Sequence, residues 1–475
     1  MARIECDVCV IGAGSAGLSV AAGTSQLGLR TVLVERGEMG GECLNVGCVP
    51  SKALLAAADR AHAPTGREMP GIGATSPAVD FGRVKDHVAA TIAAIAPHDS
   101  VERFEGLGVT VLRDSARFRD PRALEVGRDL VVARRYVIAT GSSPAIPDIP
   151  GLDPSRSLTN ETVFALRERP DHLVILGGGP IGVEMAQAHR RLGSAVTVIQ
   201  RSRILSRDEP ELVDILRDRL VAEGVQFREN ATVRSVRHGD GAVTLTIERG
   251  GRTEDMAGSH LLVAVGRRAS TGDLDLAAAG VEHGPNGIKT DRRLRTSQRH
   301  IYALGDVIDG PRFTHAASYQ AGIVVRNLAF RLPAKVDYRA LPWATFSDPE
   351  LAHVGMTEAE ARDAHGSAVT AVTASMARND RAIAERRTEG LVKIVAGRRG
   401  RILGASILAP HAGDIIGLWC LAISRGLTLR AVTDTILPYP TLGEAGKATA
   451  SSYYTPSLFS ERTRRAVRFL QRLPG

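Results

Sequence analysis

Residues 40–52 read Gly40-Gly41-Glu42-Cys43-Leu44-Asn45-Val46-Gly47-Cys48-Val49-Pro50-Ser51-Lys52, and the remainder of the chain falls into place around them. Four residues separate Cys43 from Cys48, and Lys52 follows Cys48 by one helical turn. Leu54, Leu55, Ala56, Ala57 and Ala58 continue as helix-forming sequence, so the spacing predicts a helix that begins near Cys43 and holds both sulfurs in its first turns. The positive end of a helix lowers the pKa of a thiol placed there, which points to a reactive thiolate at neutral pH. The spacing differs from that of a zinc knuckle. Two readings stay open on these residues alone: a redox-active disulfide, or two buried free cysteines packed as small hydrophobes.

Outward on the N-terminal side, Cys6 to Ile11 is an apolar strand followed by Gly12-Ala13-Gly14-Ser15-Ala16-Gly17, a helix to about Leu27, a second strand from Thr31 to Val34, and Glu35. In that order Gly12 permits the tight turn, Gly14 lets the backbone approach a pyrophosphate, Gly17 lets helix and strand pack closely, and Glu35 accepts hydrogen bonds from a ribose. Cys6 and Cys9 sit on opposite faces of the strand and read as packing residues. A second unit of the same kind starts at Leu173, with Gly177, Gly179 and Gly182 in glycine-fingerprint register, then Glu184 in the helix and a strand from Ala195 to Ile199. Where the first unit has Glu35, the second has Gln200, followed by Arg201, Arg203 and Arg207. An acid there would repel a 2′-phosphate and cations would bind it, so the second unit is expected to take NADPH over NADH.

Between these units, residues 62–79 read as a loop, Phe81 to Phe104 as one helix, and Val109 to Phe118 with Ala123 to Val132 as meander strands. Tyr136 to Gly141 is a strand ending in Ala139-Thr140-Gly141, and Pro144, Pro147, Pro150 and Gly151 form a linker. Residues 225–265 read as a second meander ending at Gly266 and Arg267. An apolar strand at Ile301 ends in Gly305-Asp306, and a helix follows over 315–326.

A chain of 475 residues has room for about three domains. Hydrophobic content of 44% with 24% charged residues is that of an ordinary water-exposed globular protein, and no apolar run is long enough for an integral membrane segment. The net charge of +8 comes from scattered arginines with only 4% aromatic residues, which argues for solvated surface plus an anion site and against nucleic-acid binding. The early strand leaves no room for a signal peptide, and five cysteines suit a reducing cytoplasm, where a disulfide is catalytic more often than structural. The basic segment Arg462 to Leu473 reads as a terminal amphipathic helix, solvated or in contact with a membrane surface.

These motifs resemble the class I, flavin-dependent pyridine nucleotide-disulfide oxidoreductases, a family that includes dihydrolipoamide dehydrogenase, glutathione reductase and mercuric reductase. The resemblance runs along essentially the whole chain and implies an α/β fold with two Rossmann-like dinucleotide-binding domains and a C-terminal α+β dimerisation domain. The expected boundaries are 1–150 for the first part of the FAD domain, 151–270 for the NAD(P)H domain, 271–335 for the second part of the FAD domain and 336–475 for the dimerisation domain. It implies FAD and NADPH as cofactors, with Gly12, Gly14, Ser15, Gly17, Glu35, Gly41, Lys52, Thr140, Gly141, Gly305 and Asp306 around the flavin. Gly177, Gly179, Ile181, Gly182, Arg201 and Arg207 would surround the nicotinamide nucleotide, with Gly266 completing the set. Hydride would pass from nicotinamide to flavin and electrons from flavin to a Cys43–Cys48 disulfide. Cys48 would be the charge-transfer thiolate, Cys43 the interchange thiol, and Lys52 would pair with Glu184 beside the ring. No resident metal ion is expected.

One departure bears on the acceptor. Leu437 to Glu444 reads Leu-Pro-Tyr-Pro-Thr-Leu-Gly-Glu, where disulfide reductases of the family carry a histidine that reaches in from the partner subunit. Tyr439 takes that place and Glu444 remains. A tyrosine with pKa near 10 is poorly matched to proton transfer at neutral pH. Mercuric reductase shares the tyrosine, yet its C-terminal cysteine pair is missing after Lys447, and Cys420 reads as core. The expected activity is therefore that of a homodimeric FAD-dependent NAD(P)H oxidoreductase with a mercuric reductase-like core, acting on a small-molecule disulfide or a soft metal ion. A dihydrolipoamide dehydrogenase, and a non-catalytic flavin redox sensor, are the alternatives.

Overall fold

In the computed structural model, residues 2–66, 69–73, 75 and 77–473 are described, and they build three sheet systems. The first is a seven-stranded sheet. Val109–Leu112, Thr31–Val34, Arg3–Ile11 and Asp129–Ile138 lie side by side and parallel, and Ile301–Ala303 adds in parallel to the far half of Asp129–Ile138. Ala123–Val126 and Ala116–Asp120 continue from its near half as an antiparallel ribbon. The parallel strands are buried on both faces, which is why Val8 to Ile11 and Thr31 to Val34 read as unbroken apolar runs instead of alternating ones. Cys6 and Cys9 belong to this core, and burial pushes both thiols up, Cys6 to about 12, so neither is a reactive thiolate.

The second system repeats the first. His172–Leu176, Ala195–Gln200, Val225–Glu229 and His260–Val263 form a four-stranded parallel sheet, and a separate antiparallel meander runs through Ala231–Gly239, Ala242–Arg249 and Arg252–Gly258. The two units superpose in their hydrogen bonds: Gly12 N–H donates to Val34 carbonyl at 2.8 Å, and Gly177 N–H to Ile199 carbonyl at 2.9 Å. The third system is a five-stranded antiparallel sheet ordered Pro342–Thr345, Glu350–Gly355, Ile402–Ala409, Leu391–Ala396, Thr370–Ser375. Helices including Gly417–Ser424 and Glu444–Ser452 pack on it around Trp419, and Cys420 sits half-buried at the edge of that core.

Several expectations for local structure need correction. The cysteine helix is two helices, Gly41–Asn45 and Cys48–Gly66, broken at Val46-Gly47, so Cys48 and not Cys43 opens the longer one. That longer helix runs into the stretch expected to be a loop; residues 67, 68, 74 and 76 of that stretch lie outside the described residues. The single helix expected over 81–104 is Phe81–Ile95, a 3-10 turn Ala96–Asp99 containing Pro97, and Val101–Gly106, whose start Ser100 caps by accepting from Arg103 N–H. Val109–Leu112 and Val225–Glu229 were each expected in a meander but join the parallel sheets, because both follow a helix and return to pair beside the preceding strand. Within the expected linker, Ser142–Pro144 pairs antiparallel with Arg267–Ala269, giving a short ribbon that bears on the site.

A buried ion network joins the three systems. Arg191 lies 2.6 Å from Glu223, 2.9 Å from Asp348 and 3.3 Å from Asp59, and Arg387 also pairs with Asp348. Asp59 sits on the cysteine helix, Arg191 on the second glycine unit's helix, and Asp348 at the start of the third sheet system.

Candidate active site

The sheets leave a cavity of about 1140 Å³ at the C-terminal ends of the first unit's parallel strands, where open α/β sheets place their ligands. Its wall includes Gly12, Gly14, Ser15, Glu35, Gly41, Cys43, Cys48, Lys52, Thr140, Gly141, Ile181, Glu184, Gly305 and Asp306. Residues far apart in sequence are thus brought to one chamber. Gly17, Gly177, Gly179, Gly182, Arg201, Arg207 and Gly266 lie off this wall, as do Tyr439 and Glu444.

Cys43 and Cys48 stand side by side on the cavity wall as free cysteines. Cys48 is pulled down to about 6, chiefly by the hydrogen bond from the Cys43 thiol, and further by the Thr314 hydroxyl and the Lys52 ammonium, against burial and the Glu184 carboxylate. Cys43 moves the opposite way, because its proton is held in that same hydrogen bond and it is partly buried. Thr314 Oγ1 lies 3.3 Å from Cys48 Sγ. The N-terminus of Cys48–Gly66 adds its unpaired backbone amides to this set. The break at Val46-Gly47 therefore has a chemical consequence: it separates one sulfur at a helix start, suited to a thiolate, from one that keeps its proton.

Lys52 Nζ donates to Glu184 Oε2 at 2.8 Å and lies 4.3 Å from the centre of the Phe346 ring. The second Glu184 oxygen accepts Phe346 N–H at 3.0 Å. Glu184 is only 5% exposed, so the lysine and that amide are what make its burial tolerable. One ion pair thus links the cysteine helix, the second glycine unit and the third sheet system beside the thiols.

A second group of residues escaped the sequence reading. Glu42, next to Cys43, pairs with Arg267 through both oxygens and accepts from Asn160 Nδ2 at 2.6 Å. Arg267 also donates to Ser142 Oγ at 2.8 Å and lies 3.5 Å from Asp306, which Ser142 Oγ reaches at 2.8 Å. Burial pushes the Glu42 carboxyl up to about 7, with Arg267 opposing. Two carboxylates on the flavin-side wall therefore share one guanidinium. Nothing in local sequence could link residue 42 to residue 267; the only signal was an uncommitted arginine after the glycine turn at Gly266.

The chamber has the features that FAD requires. A Cβ added to Gly41 would fall 2.6 Å from Gly14 Cα, so the cysteine turn and the first glycine loop meet through bare backbone, the surface a pyrophosphate needs. Glu35 is fixed by Ala13 N–H at 2.6 Å and Gly37 N–H at 2.7 Å, each oxygen keeping a lone pair for a ribose hydroxyl. Thr140 Oγ1 donates to Ser270 carbonyl at 2.7 Å, which holds the Ala-Thr-Gly turn against the cavity. The residues fit the group. In the second unit Gln200 Oε1 accepts Gly178 N–H at 2.9 Å, the place Glu35 holds in the first, while Arg201 and Arg207 are exposed beside it. Arg203 is spent on Asp214 and the Pro210 carbonyl. A Cβ on Gly179 would meet nothing within 4 Å, and Ile181 is 42% exposed on the shared cavity.

Tyr439 is 71% exposed, and its hydroxyl donates to Asp380 Oδ2 at 2.8 Å. That carboxylate, by holding the phenol proton, raises the tyrosine above its ordinary pKa. Glu444 turns back to accept Thr441 N–H at 3.1 Å.

Residues 6–321 match the family "Pyridine nucleotide-disulphide oxidoreductase", and residues 341–450 its dimerisation domain. The chain is 40% identical to a mercuric reductase of Streptomyces lividans over 458 residues, covering 94% of this chain and 96% of that one. It is 36% identical to a dihydrolipoyl dehydrogenase of Geobacillus stearothermophilus, covering 93% and 94% respectively. Among solved structures, a Cu(II) complex of the HOCl-induced flavoprotein disulfide reductase RclA from Escherichia coli aligns with a TM-score of 0.84 at 28% identity, over 94% of this chain and 99% of that one. Two glycine units, a cysteine pair beside a lysine–glutamate bridge and a third antiparallel domain thus carry the same meaning as the matches along the chain: this protein belongs to the pyridine nucleotide-disulphide oxidoreductases, FAD-dependent enzymes that draw on NAD(P)H.

Proposed function

We propose that the protein is a cytoplasmic, homodimeric oxidoreductase that spends NADPH to reduce a soft metal ion, with a small-molecule disulfide as the weaker acceptor. The observation that carries the reading is Cys43 and Cys48 together on the wall of the cavity, with Cys48 against Thr314 and the Lys52–Glu184 bridge, company that draws the Cys48 pKa down and leaves Cys43 the proton holder. FAD, when bound, supplies the two-electron link between reduced nicotinamide and the cysteine pair. Gly12, Gly14, Ser15, Glu35, Gly41, Thr140, Gly141 and Asp306 would hold it. The rest is the work of the chain: Cys43 and Cys48 close or open one sulfur–sulfur bond for each two electrons, and Lys52 with the helix N-terminus favours charge on Cys48.

Tyr439 supports the metal ion over the disulfide. Cleaving a disulfide releases a thiolate that must be protonated, and a phenol whose proton Asp380 retains is a poor donor at neutral pH. Reducing a thiophilic cation needs no such proton, and two thiols can receive it directly. The relatives named mercuric reductase, and the copper complex of the aligned Escherichia coli structure, agree with that choice. Arg201 and Arg207, beside a Gln200 that occupies the place of an acid, support NADPH over NADH.

The test is a panel of acceptors run with purified FAD-loaded protein and NADPH: Hg(II), Cu(II), lipoamide and oxidised glutathione. Turnover with a metal ion at least tenfold above either disulfide is expected, lost in Cys43→Ser. Turnover fastest with lipoamide would instead make the protein a dihydrolipoamide dehydrogenase. Arg201→Glu should narrow the preference for NADPH over NADH; equal use of both by the unmodified protein would overturn the cofactor assignment.

A further inference from the structure

Beyond the 341–450 dimerisation match the chain ends in an element that packs on none of the three sheets. Glu461–Leu470 is a helix with no buried residue, entered through the exposed pair Leu458 and Phe459. Its start is nonetheless fixed: Ser460 Oγ accepts Thr463 N–H at 3.3 Å, and Thr463 Oγ1 donates to the Ser457 carbonyl at 2.8 Å. The helical period gathers Ala466, Val467, Leu470 and, just past the helix, Leu473 on one side, with Phe469 at its border. Arg464, Arg465, Arg468 and Arg472 fall on the other side, where the lone acid, Glu461, is already paired with Arg465 at 3.5 Å and Arg468 at 2.8 Å, while Arg462 stands beside Phe469 at the border of the apolar side. Phe469 is 64% exposed and Leu470 58%, which is a high solvent cost for residues of that kind in a helix held in place.

We propose that this terminal helix docks the enzyme on an anionic phospholipid surface, lying in the plane of the headgroups with Val467, Phe469, Leu470 and Leu473 inserted and the arginines on the lipid phosphates. Charge selects this occupant. Five arginines lie between residues 461 and 473 against one glutamate, and a second copy of a chain that is itself +8 has no general excess of acid to receive them. Length agrees: a ten-residue helix at about 1.5 Å per residue is about 15 Å long, half of the roughly 30 Å hydrocarbon core, so it lies on a bilayer and does not cross it. Among the described residues no helix is long and apolar enough to span. An apolar face that inserts and a basic face that attracts are together what an interfacial helix requires.

The experiment is flotation of the full-length FAD-loaded protein with vesicles of phosphatidylcholine alone or of phosphatidylcholine with phosphatidylglycerol at about three to one, at low and at high salt. At least tenfold more protein should float with the anionic vesicles at low salt, and most of that excess should vanish at high salt. Leu470→Glu should abolish flotation and leave NADPH-dependent turnover within twofold, since the helix touches no part of the cavity. No flotation on either vesicle, or equal flotation on both, would overturn the proposal. So would a Leu470→Glu protein that falls from dimer to monomer by light scattering, because the helix would then be serving the partner subunit.

Discussion

Cys48 begins a helix and lies against Thr314, Lys52 and the Cys43 thiol, and this company decides its chemistry more than its identity does. An acid whose folded pKa is depressed, from 9.0 to about 6, favours the folded protein wherever the folded thiol is ionised, and most where the unfolded thiol would be ionised too. For the reduced protein that stabilisation is therefore complete above about pH 9, shrinks as pH falls, and is gone once pH passes below about 6. Alkylation of Cys48 by iodoacetamide in reduced protein should follow the same titration, with half-maximal rate near pH 6, and Lys52→Met should move the midpoint upward. A midpoint at the ordinary thiol value in the unmodified protein would remove the charged-thiolate argument. Glu42 is the neighbouring case. Its carboxylate ties the Cys43 turn to Arg267 and Asn160, so Glu42→Ala should free that turn and raise the alkylation rate of Cys43 about five- to tenfold, equivalent to about 1–1.4 kcal/mol. Glu42→Gln, which keeps much of the hydrogen bonding, should change it far less.

The two glycine units are the same element used twice, and their shared geometry allows a paired prediction. A Cβ at Gly17 would fall 1.8 Å from the Gly12 carbonyl oxygen, and one at Gly182 would fall 1.9 Å from the Gly177 oxygen. Both contacts are to backbone, so the helix must move away from its strand in either variant. Such overpacking typically costs about 1–3 kcal/mol. Gly17→Ala should purify with little or no yellow flavin. Gly182→Ala should keep its colour but show at least a tenfold higher KM for NADPH. Visible absorbance and steady-state kinetics separate the two; identical behaviour would mean that the units do not serve different cofactors. The cysteine turn is an element of another kind, in which the helix break, and not a continuous helix, places the sulfurs.

For the whole molecule, the third domain leaves apolar side chains in solvent that a partner would cover: Ile436 is 94% exposed, Leu421 56% and Ile383 50%, and Tyr439 stands on the same segment as Ile436. Ile436→Asp should weaken the dimer by at least tenfold in dissociation constant, measured by sedimentation, because a charge would be placed in a desolvated contact. Turnover is predicted to fall with the dimer, since Tyr439 and Glu444 lie off the cavity of their own chain and, on the expectation drawn from the family, would act at a partner's. Full turnover from a stable monomer would overturn that arrangement. Within one chain the Asp59–Arg191–Glu223–Asp348 network and the Lys52–Glu184 bridge tie the three sheet systems together at two turns of the cysteine helix.

Both glycine loops, the apolar parallel strands, the Gly305-Asp306 strand end and the spacing of Cys43 and Cys48 were legible along the chain, because each is set by dihedral limits, local hydrogen bonds or a period of two or 3.6 residues. The helix break at Val46-Gly47 and the 3-10 turn at Pro97 were misjudged where local propensity and packing compete. What no local rule contains is distance between remote residues. Glu42 with Arg267, Cys48 with Thr314, Tyr439 with Asp380 and Arg191 with Asp348 exist only because the fold brings remote segments of the chain together. Sequence alone therefore determined which reactive groups the protein possesses, and tertiary structure decided which of them share charge. Coulomb forces, desolvation and hydrogen bonds act across a few ångströms of space, whatever the number of residues between the groups along the chain.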